Sequence, residues 1–128
     1  MFKVVKPDLN TWTGGTVWDS GTILSSYLRT FAAEFWADAS VVELGCGTGL
    51  VGLTAAALGA KMCCVTDQVL HLARWNADRN FQGAGRERVK LHELQWADAA
   101  MMEAAGGPFD LLVSTNALFT TRYCNYWR

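Results

Sequence analysis

Two spacings of hydrophobic residues alternate along the chain. Between residues 19 and 38, apolar side chains recur every three or four positions, which is typical of an amphipathic helix with one buried stripe. Asp19 or Ser20 is available to cap the first turn of this helix. The predicted stripe consists of Ile23, Leu24, Tyr27, Leu28, Phe31, Ala32 and Phe35. The pattern therefore predicts one long helix ahead of the rest of the fold.

Short apolar runs separated by helical segments follow this first helix. The predicted strands lie at residues 40–44, 61–66, 89–92 and 109–114. Predicted helices at 50–58 and 68–81 separate the first three strands, and Gly59 is placed to end the earlier helix. Strands that alternate with helices of this length indicate βαβ units and a parallel sheet. The predicted fold class is α/β, in one domain over residues 1–128, with a polar leader at 1–15 and an atypical tail at 120–128.

The composition excludes several classes of protein. Of the 128 residues, 51% are hydrophobic and 18% are charged, which is too apolar for a disordered chain. The net charge of −1 shows no basic excess, so we expect no nucleic-acid partner. The longest uncharged run, residues 44–60, has 17 residues and includes five glycines, which makes it a poor membrane helix. We therefore expect no membrane partner, while the oligomeric state is left open.

The four cysteines favour burial over metal or redox chemistry. They form no CxxC pair and have no histidines at zinc spacing, so no metal site is predicted. Cys63 and Cys64 lie in an apolar run, where cysteine behaves as a small hydrophobic residue. Free thiols are typical of a reducing compartment, so we expect a cytoplasmic location, with the nucleus as a second one.

The segment that says most about function follows the first predicted strand. Gly45, Gly47 and Gly49 alternate with Cys46 and Thr48 where the strand turns into a helix. We expect glycine at these positions because a ligand must approach the backbone where a Cβ would collide with it. The spacing differs from the G-x-G-x-x-G of a dinucleotide site, and the Gly-Lys-Ser/Thr of a P-loop is missing. A glycine-rich turn without a ligand is the alternative.

Asp67 strengthens the case for a nucleoside ligand. It lies 22 residues after Gly45, at the carboxyl end of the next predicted strand. A doubly wound sheet places an acid there against ribose hydroxyls, and an ionised carboxylate can accept hydrogen bonds from both of them. Asp67 could also cap the following helix, and the two roles are compatible.

At this point the sequence resembles a known family. Residues 43–52, Glu-Leu-Gly-Cys-Gly-Thr-Gly-Leu-Val-Gly, are similar to motif I of the seven-strand methyltransferases that use S-adenosylmethionine. The chain also resembles the protein-lysine methyltransferases of the methyltransferase-like 21 group, in four further segments between about Trp12 and Phe119. These are residues 15–19 with the helix that follows, residues 65–67, Asn76 with Asn80, and residues 94–96. The resemblance implies a Rossmann-like doubly wound parallel sheet that holds strands one to four and is incomplete.

The resemblance also implies a set of cofactor contacts. The methionine part of S-adenosylmethionine would lie along the glycine loop with Glu43 beneath it, and Asp67 would hold the ribose. Two indole rings would wall the pocket, because aromatic faces suit both adenine and a weakly hydrated sulfonium. The implied cofactor-binding residues are Trp18, Glu43, Gly45, Cys46, Gly47, Asp67, Trp96 and Thr115.

The sequence departs from the family after the fourth predicted strand. The family carries Asp-x-x-Tyr there, whereas this chain has Asn116-Ala117-Leu118-Phe119. We predict Asn116 and Phe119 as the catalytic residues, although the asparagine lacks the charge and the phenylalanine lacks the hydroxyl of the family motif. The chain stops nine residues after Phe119, where members of the family continue, so we expect a C-terminally truncated form.

The predicted function is methyl transfer from S-adenosylmethionine to a protein amine, with a lysine side chain as the expected acceptor. The partner would be the protein that carries this lysine. One alternative is a catalytically inactive fragment that binds the cofactor or another protein. Another is a methyltransferase that acts on a small molecule, since motif I alone does not identify the acceptor.

Overall fold

The computed structural model describes residues 13–96 and 98–115. A single 3₁₀ turn at Thr13–Gly15 precedes a series of helices and strands. The helices are α1 (Asp19–Leu28), α2 (Ala33–Asp38), α3 (Leu50–Ala57), α4 (His71–Asn80), α5 (Gly83–Glu87) and α6 (Ala99–Ala104). The strands are β1 (Ser40–Leu44), β2 (Met62–Asp67), β3 (Val89–Glu93) and β4 (Leu111–Ser114). Among the described residues, no helix combines the length and apolar character needed to cross a membrane.

The four strands form one parallel sheet in the order β3-β2-β1-β4. The chain adds β2 and β3 on one side of β1 and then returns to add β4 on the other side. The order therefore reverses between β1 and β4, which is the topological switch point at which open α/β sheets bind ligands. The predicted α/β class and the Rossmann-like parallel arrangement of four strands are confirmed.

Helices cover both faces of the sheet. Alternate residues of each strand point to opposite sides, so each strand contributes apolar side chains to a core on each face. Val41, Cys63 and Val65 belong to the larger core, which they share with residues of α3 and α4. Val42 and Cys64 belong to a second core, on the side where α6 packs. A sheet that is buried on both faces explains why its strands are continuous apolar runs.

The predicted long helix is divided in two. α1 ends at Leu28 and α2 begins at Ala33, where the prediction had a continuous helix. The Thr30 hydroxyl donates to the carbonyl oxygen of Tyr27 at 2.7 Å, and Ala32 has extended backbone angles. Such a local side-chain bond competes with the helical ladder, and the extended residue redirects the chain.

The predicted apolar stripe of α1 lies only partly on the buried face of that helix, where Leu28 is buried and Leu24 packs against the core. Ile23 and Tyr27 are 69% and 58% exposed, whereas Gly21 and Ser25 are buried together with Leu28. A Cβ at position 21 would lie 3.9 Å from a methyl group of Leu50 in α3, which is an ordinary contact distance. Gly21 therefore faces α3, and the contact between the two helices leaves room for a methyl group there.

The predicted cap at the end of α3 was right, and the predicted cap at the start of α1 was wrong. Neither Asp19 nor Ser20 caps α1, since Trp18 occupies the cap position and makes no side-chain capping bond. Gly59 does end α3, and its φ of 105° is a backbone conformation that residues other than glycine rarely adopt. α5 and α6 were not predicted.

Candidate functional site

One cavity of about 260 Å³ opens at the carboxyl ends of the central strands. The loop after β1, the end of β2, the residue after β4 and the segment before α1 contribute to its wall. Of the predicted cofactor-binding residues, those that line this cavity are Trp18, Glu43, Gly45, Cys46, Gly47, Asp67 and Thr115. The structure thus brings residues from four separate segments together at the switch point of the sheet.

Trp96 takes a different position. It is not among the described residues that line the cavity, and its ring packs against the glycine loop instead. A Cβ on Gly45 would lie 2.9 Å from Cζ2 of the Trp96 ring. Trp18, in contrast, lines the cavity and is 51% exposed. The two predicted catalytic residues, Asn116 and Phe119, lie outside the described residues.

The backbone conformation of the glycine loop and its close neighbours in the protein both require glycine at positions 45 and 47. Gly45 and Gly47 have φ angles of 68° and 54°, in the left-handed region that favours glycine. A Cβ on Gly47 would lie 2.6 Å from the carbonyl oxygen of Gly14. The approach of a ligand stays the predicted reason for these glycines, and the Gly14 backbone and the Trp96 ring give a second reason within the protein.

Asp67 joins the glycine loop to the end of β2. Its Oδ2 accepts a hydrogen bond from the Gly47 amide at 2.7 Å, and its Oδ1 accepts one from the Gln68 amide at 2.7 Å. The predicted role of Asp67 as the cap of the next helix was wrong, because α4 begins at His71 after Leu70. A carboxylate has about four acceptor positions, so Asp67 can hold the loop and still accept bonds from a ligand.

Two buried polar side chains support the same loop from behind. Thr66 donates its hydroxyl to the Glu43 carbonyl oxygen at 2.6 Å, and Asn76 donates from Nδ2 to the Thr48 carbonyl oxygen at 2.9 Å. Both side chains are fully buried, where an unsatisfied polar group would be costly. No hydrogen-bonding role was predicted for Thr66 or Asn76, and both were noted only within segments that resemble the family. A polar residue within an otherwise apolar strand is the signal that could have found Thr66.

Glu43 lies beneath the loop and is 3% exposed. Its Oε2 accepts a hydrogen bond from the Gly52 amide at 2.8 Å, at the start of α3. The pKa of Glu43 is raised to about 8, mainly by burial; the hydrogen bond from the Gly52 amide opposes this shift, and the nearby Asp67 charge adds to it. The carboxyl group therefore holds a proton over most of the neutral range.

The cavity offers no reactive thiol. Burial raises the pKa of the Cys46 thiol well above its usual value, and the carboxylates of Glu43 and Asp67 add to this effect. The thiol therefore stays neutral and is a poor nucleophile. In the part of the chain that the structure describes, no group of three or more His, Cys, Asp or Glu side chains could hold a metal ion.

The arrangement defines a class of protein. A glycine loop at the end of the central strand, an acid at the end of the next strand and a cavity at the switch point are typical of Rossmann-like α/β proteins that bind a nucleoside.

Comparison with known proteins identifies the family within this class. A family model described as "Lysine methyltransferase" matches residues 4–125. The mouse protein N-lysine methyltransferase METTL21A is 35% identical over 105 residues, which cover 80% of this chain and 47% of the relative. The mouse protein-lysine methyltransferase METTL21E is 30% identical over 111 residues, which cover 83% and 45%. The protein N-terminal and lysine N-methyltransferase EFM7 of Yarrowia lipolytica is 28% identical over 131 residues, which cover 86% and 48%.

The chain belongs to the lysine methyltransferase family, since the family model covers almost its whole length. It spans about half the length of the curated relatives that it matches. The family named in the sequence analysis from motif I and the surrounding segments is thereby confirmed.

Proposed function

We propose that the cavity at the ends of β1, β2 and β4 binds S-adenosylmethionine and that the protein transfers its methyl group to a lysine side chain of another protein. The observation that carries this proposal is the position of Asp67. Its carboxylate is part of the cavity wall, next to the glycine loop that it holds through the Gly47 amide at 2.7 Å. A carboxylate at this point of an α/β sheet suits the two hydroxyls of a ribose.

The residues of the cavity wall fit this cofactor. Asp67 would accept hydrogen bonds from the ribose, and the loop from Gly45 to Gly47 would hold the methionine part above Glu43. The exposed indole of Trp18 offers an aromatic face at the edge of the cavity. When bound, S-adenosylmethionine supplies an electrophilic methyl group on a positively charged sulfur. The task of the protein is then to hold donor and acceptor in line, which contributes about 7–11 kcal/mol in favourable cases.

The acceptor is proposed from the family and from the names of the relatives, which describe protein lysine methylation. Asn116 and Phe119 remain the proposed catalytic residues after β4. The oxygen of Asn116 could accept a hydrogen bond from the incoming amine, but an amide carries no charge to offset a lysine ammonium. We therefore propose weaker transfer to lysine than a chain with aspartate at this position would show.

Titration calorimetry with S-adenosylmethionine tests the binding step. Asp67→Ala should weaken the Kd by about 10- to 100-fold, because charge-assisted hydrogen bonds contribute about 1.5–3 kcal/mol each. Asp78→Ala is the matched control, since it removes the same charge from an exposed residue of α4 that pairs with Arg86. Equal affinities of wild type and Asp67→Ala, or tighter binding of NAD than of S-adenosylmethionine, would contradict the proposal.

Radiolabelled methyl transfer to a cell lysate tests the reaction. Label should appear in methyllysine after hydrolysis of the protein fraction, and Asn116→Asp should increase the amount. Label in the small-molecule fraction alone would instead identify a small-molecule methyltransferase. No label with wild type, Asn116→Asp or Asn116→Ala, with cofactor binding intact, would identify a fragment that only binds.

A further inference from the structure

In the part of the chain that the structure describes, acidic but no basic side chains line the cavity. Glu43 and Asp67 both line it, and the described lining residues include no lysine, arginine or histidine. Water screens charges poorly at such partly enclosed sites, so carboxylates there act more strongly than on the surface. A positively charged ligand is therefore favoured over a neutral ligand of the same shape.

The Glu43 side chain is part of the cavity wall and is held by a hydrogen bond and by close packing. Its Oε2 accepts the Gly52 amide at 2.8 Å, and its side chain is 3% exposed. A Cβ on Gly52 would lie only 2.7 Å from this oxygen, which shows how closely the carboxyl group packs against α3. When a positively charged ligand occupies the cavity, we therefore expect Glu43 to lose its proton rather than to move its side chain.

We infer that this cavity distinguishes the methyl donor from its demethylated product by the charge on sulfur, and that Glu43 determines this selectivity. The inference rests on the proposed function. S-adenosylmethionine carries a positive sulfonium, whereas S-adenosylhomocysteine carries a neutral thioether, and both share the nucleoside, the amino group and the carboxylate. Binding of the donor favours loss of the Glu43 proton to solvent, and binding of the product does not. Selectivity for the donor therefore increases with pH.

Among the described groups around Glu43, the thiols and the residues of α3 do not change protonation near neutral pH, so we assign the titration to Glu43. Asp67 on β2 contributes a negative charge. Burial raises the pKa of Cys63 on β2 to about 12, and that of Cys46 in the loop well above its usual value, so both thiols stay neutral. The part of α3 that contacts Glu43 contributes Val51 and Gly52, neither of which has an ionisable side chain.

Titration calorimetry between pH 6.5 and 8.5 tests the inference on the 128-residue chain. The ratio of the Kd for S-adenosylhomocysteine to the Kd for S-adenosylmethionine should rise about tenfold over this range. Repetition in buffers of different ionisation enthalpy counts protons, and at pH 7 the donor should release close to one proton more than the product. The sulfonium lowers the pKa of the amino group in the donor relative to the product, so the free ligands are titrated separately and their contribution is subtracted.

Two variants identify the responsible group. Glu43→Gln keeps an oxygen that can accept the Gly52 amide but cannot ionise, so the Kd ratio should become independent of pH and the excess proton should disappear. Glu34→Gln, on the exposed surface of α2, removes the same charge and should behave as wild type. If Glu43→Gln does not fold, the proton count on the wild type decides alone.

Each remaining outcome contradicts the inference in a different way. A wild-type Kd ratio that does not change with pH, with both ligands bound, would overturn the inference and leave the proposed function standing. Excess proton release that persists in Glu43→Gln would assign the selectivity to another group. Absence of binding by either ligand would overturn the proposed function as well.

Discussion

Replacement of Gly52 by alanine should destabilise the protein although alanine favours helices. Gly52 lies in α3, and a Cβ there would be 2.7 Å from Oε2 of Glu43 and 2.8 Å from a methyl group of Val65. Neither neighbour can move freely. The Glu43 carboxyl is buried and bonded to the Gly52 amide, and Val65 is fully buried in β2 with a β-branched side chain that has few alternative rotamers.

The expected change in the free energy of unfolding of Gly52→Ala is the sum of opposing contributions. Alanine in a helix is favoured over glycine by about 0.5–1 kcal/mol. Overpacking of a filled core costs about 1–3 kcal/mol, and loss of the buried hydrogen bond to Glu43 would add about 1–3 kcal/mol. If the carboxyl is displaced, the free energy of unfolding of Gly52→Ala should therefore be lower than that of the wild type by about 1–5 kcal/mol.

Gly21→Ala is the matched control, because it lies in α1 and its Cβ would meet only ordinary contacts at 3.9 and 4.0 Å. It should leave stability unchanged or raise it by up to about 1 kcal/mol. Urea unfolding followed by circular dichroism gives the free energy of unfolding for both variants and the wild type. If Gly52→Ala is as stable as Gly21→Ala, the packing described around Glu43 is wrong.

Three further measurements test other features of the structure. Because burial raises the pKa of Glu43 from 4.5 to about 8, the folded chain holds a proton that the unfolded chain loses above about pH 4.5. Wild-type stability in urea should therefore fall relative to Glu43→Gln by about 3–5 kcal/mol as the pH rises from 5 to 8.5, and parallel pH profiles would contradict this. Asp98→Ala removes the bond from the Met101 amide that caps α6, so thermal unfolding should show a loss of about 0.5–2 kcal/mol. Burial raises the pKa of Cys63 to about 12 and of Cys64 to about 11, so Ellman's reagent should label both far more slowly in buffer than in urea. Rapid labelling of the native protein would show that these thiols are accessible.

The strands could be predicted because each one is marked by a continuous apolar run within its own segment of the sequence. β1 was predicted at its observed bounds, Ser40–Leu44, and β2 to within one residue. Strands of a parallel sheet are buried on both faces, so their sequence is a continuous apolar run that stands out without tertiary information.

The helices were harder to predict because their contacts decide them. α5 (Gly83–Glu87) contains two glycines and no apolar stripe, and Arg86 in it bonds Asp78 of α4 and the Val89 carbonyl oxygen. Those partners cannot be read from spacing. α6 did carry a local signal, since Asp98 precedes a segment rich in alanine and methionine, and a cap there could have been recognised.

In the candidate site, too, some residues could be identified from the sequence, whereas their contacts could not. Motif I and Asp67 could be found from the sequence because they occupy fixed places relative to the strands. The hydrogen bond from Gly47 to Asp67 and the contact between Gly47 and Gly14 depend on how the loop closes in three dimensions. The glycines were correctly singled out, but their additional need for glycine within the protein itself could not be seen from the sequence.

The position of β4 beside β1 has a consequence for the order in which the cavity forms during folding. β1 pairs with β2 through residues 22 apart in the chain, such as Ser40 and Met62, but with β4 through residues 70 apart, such as Val41 and Leu111. Closing the longer loop costs about 1 kcal/mol more in chain entropy, and distant pairings form slowly. The glycine loop and Asp67 can therefore assemble early, from neighbouring segments. Thr115, which follows β4, reaches the cavity only when the most distant pairing of the sheet has formed, so pulse-labelling hydrogen exchange should show protection of β1 and β2 before that of β4.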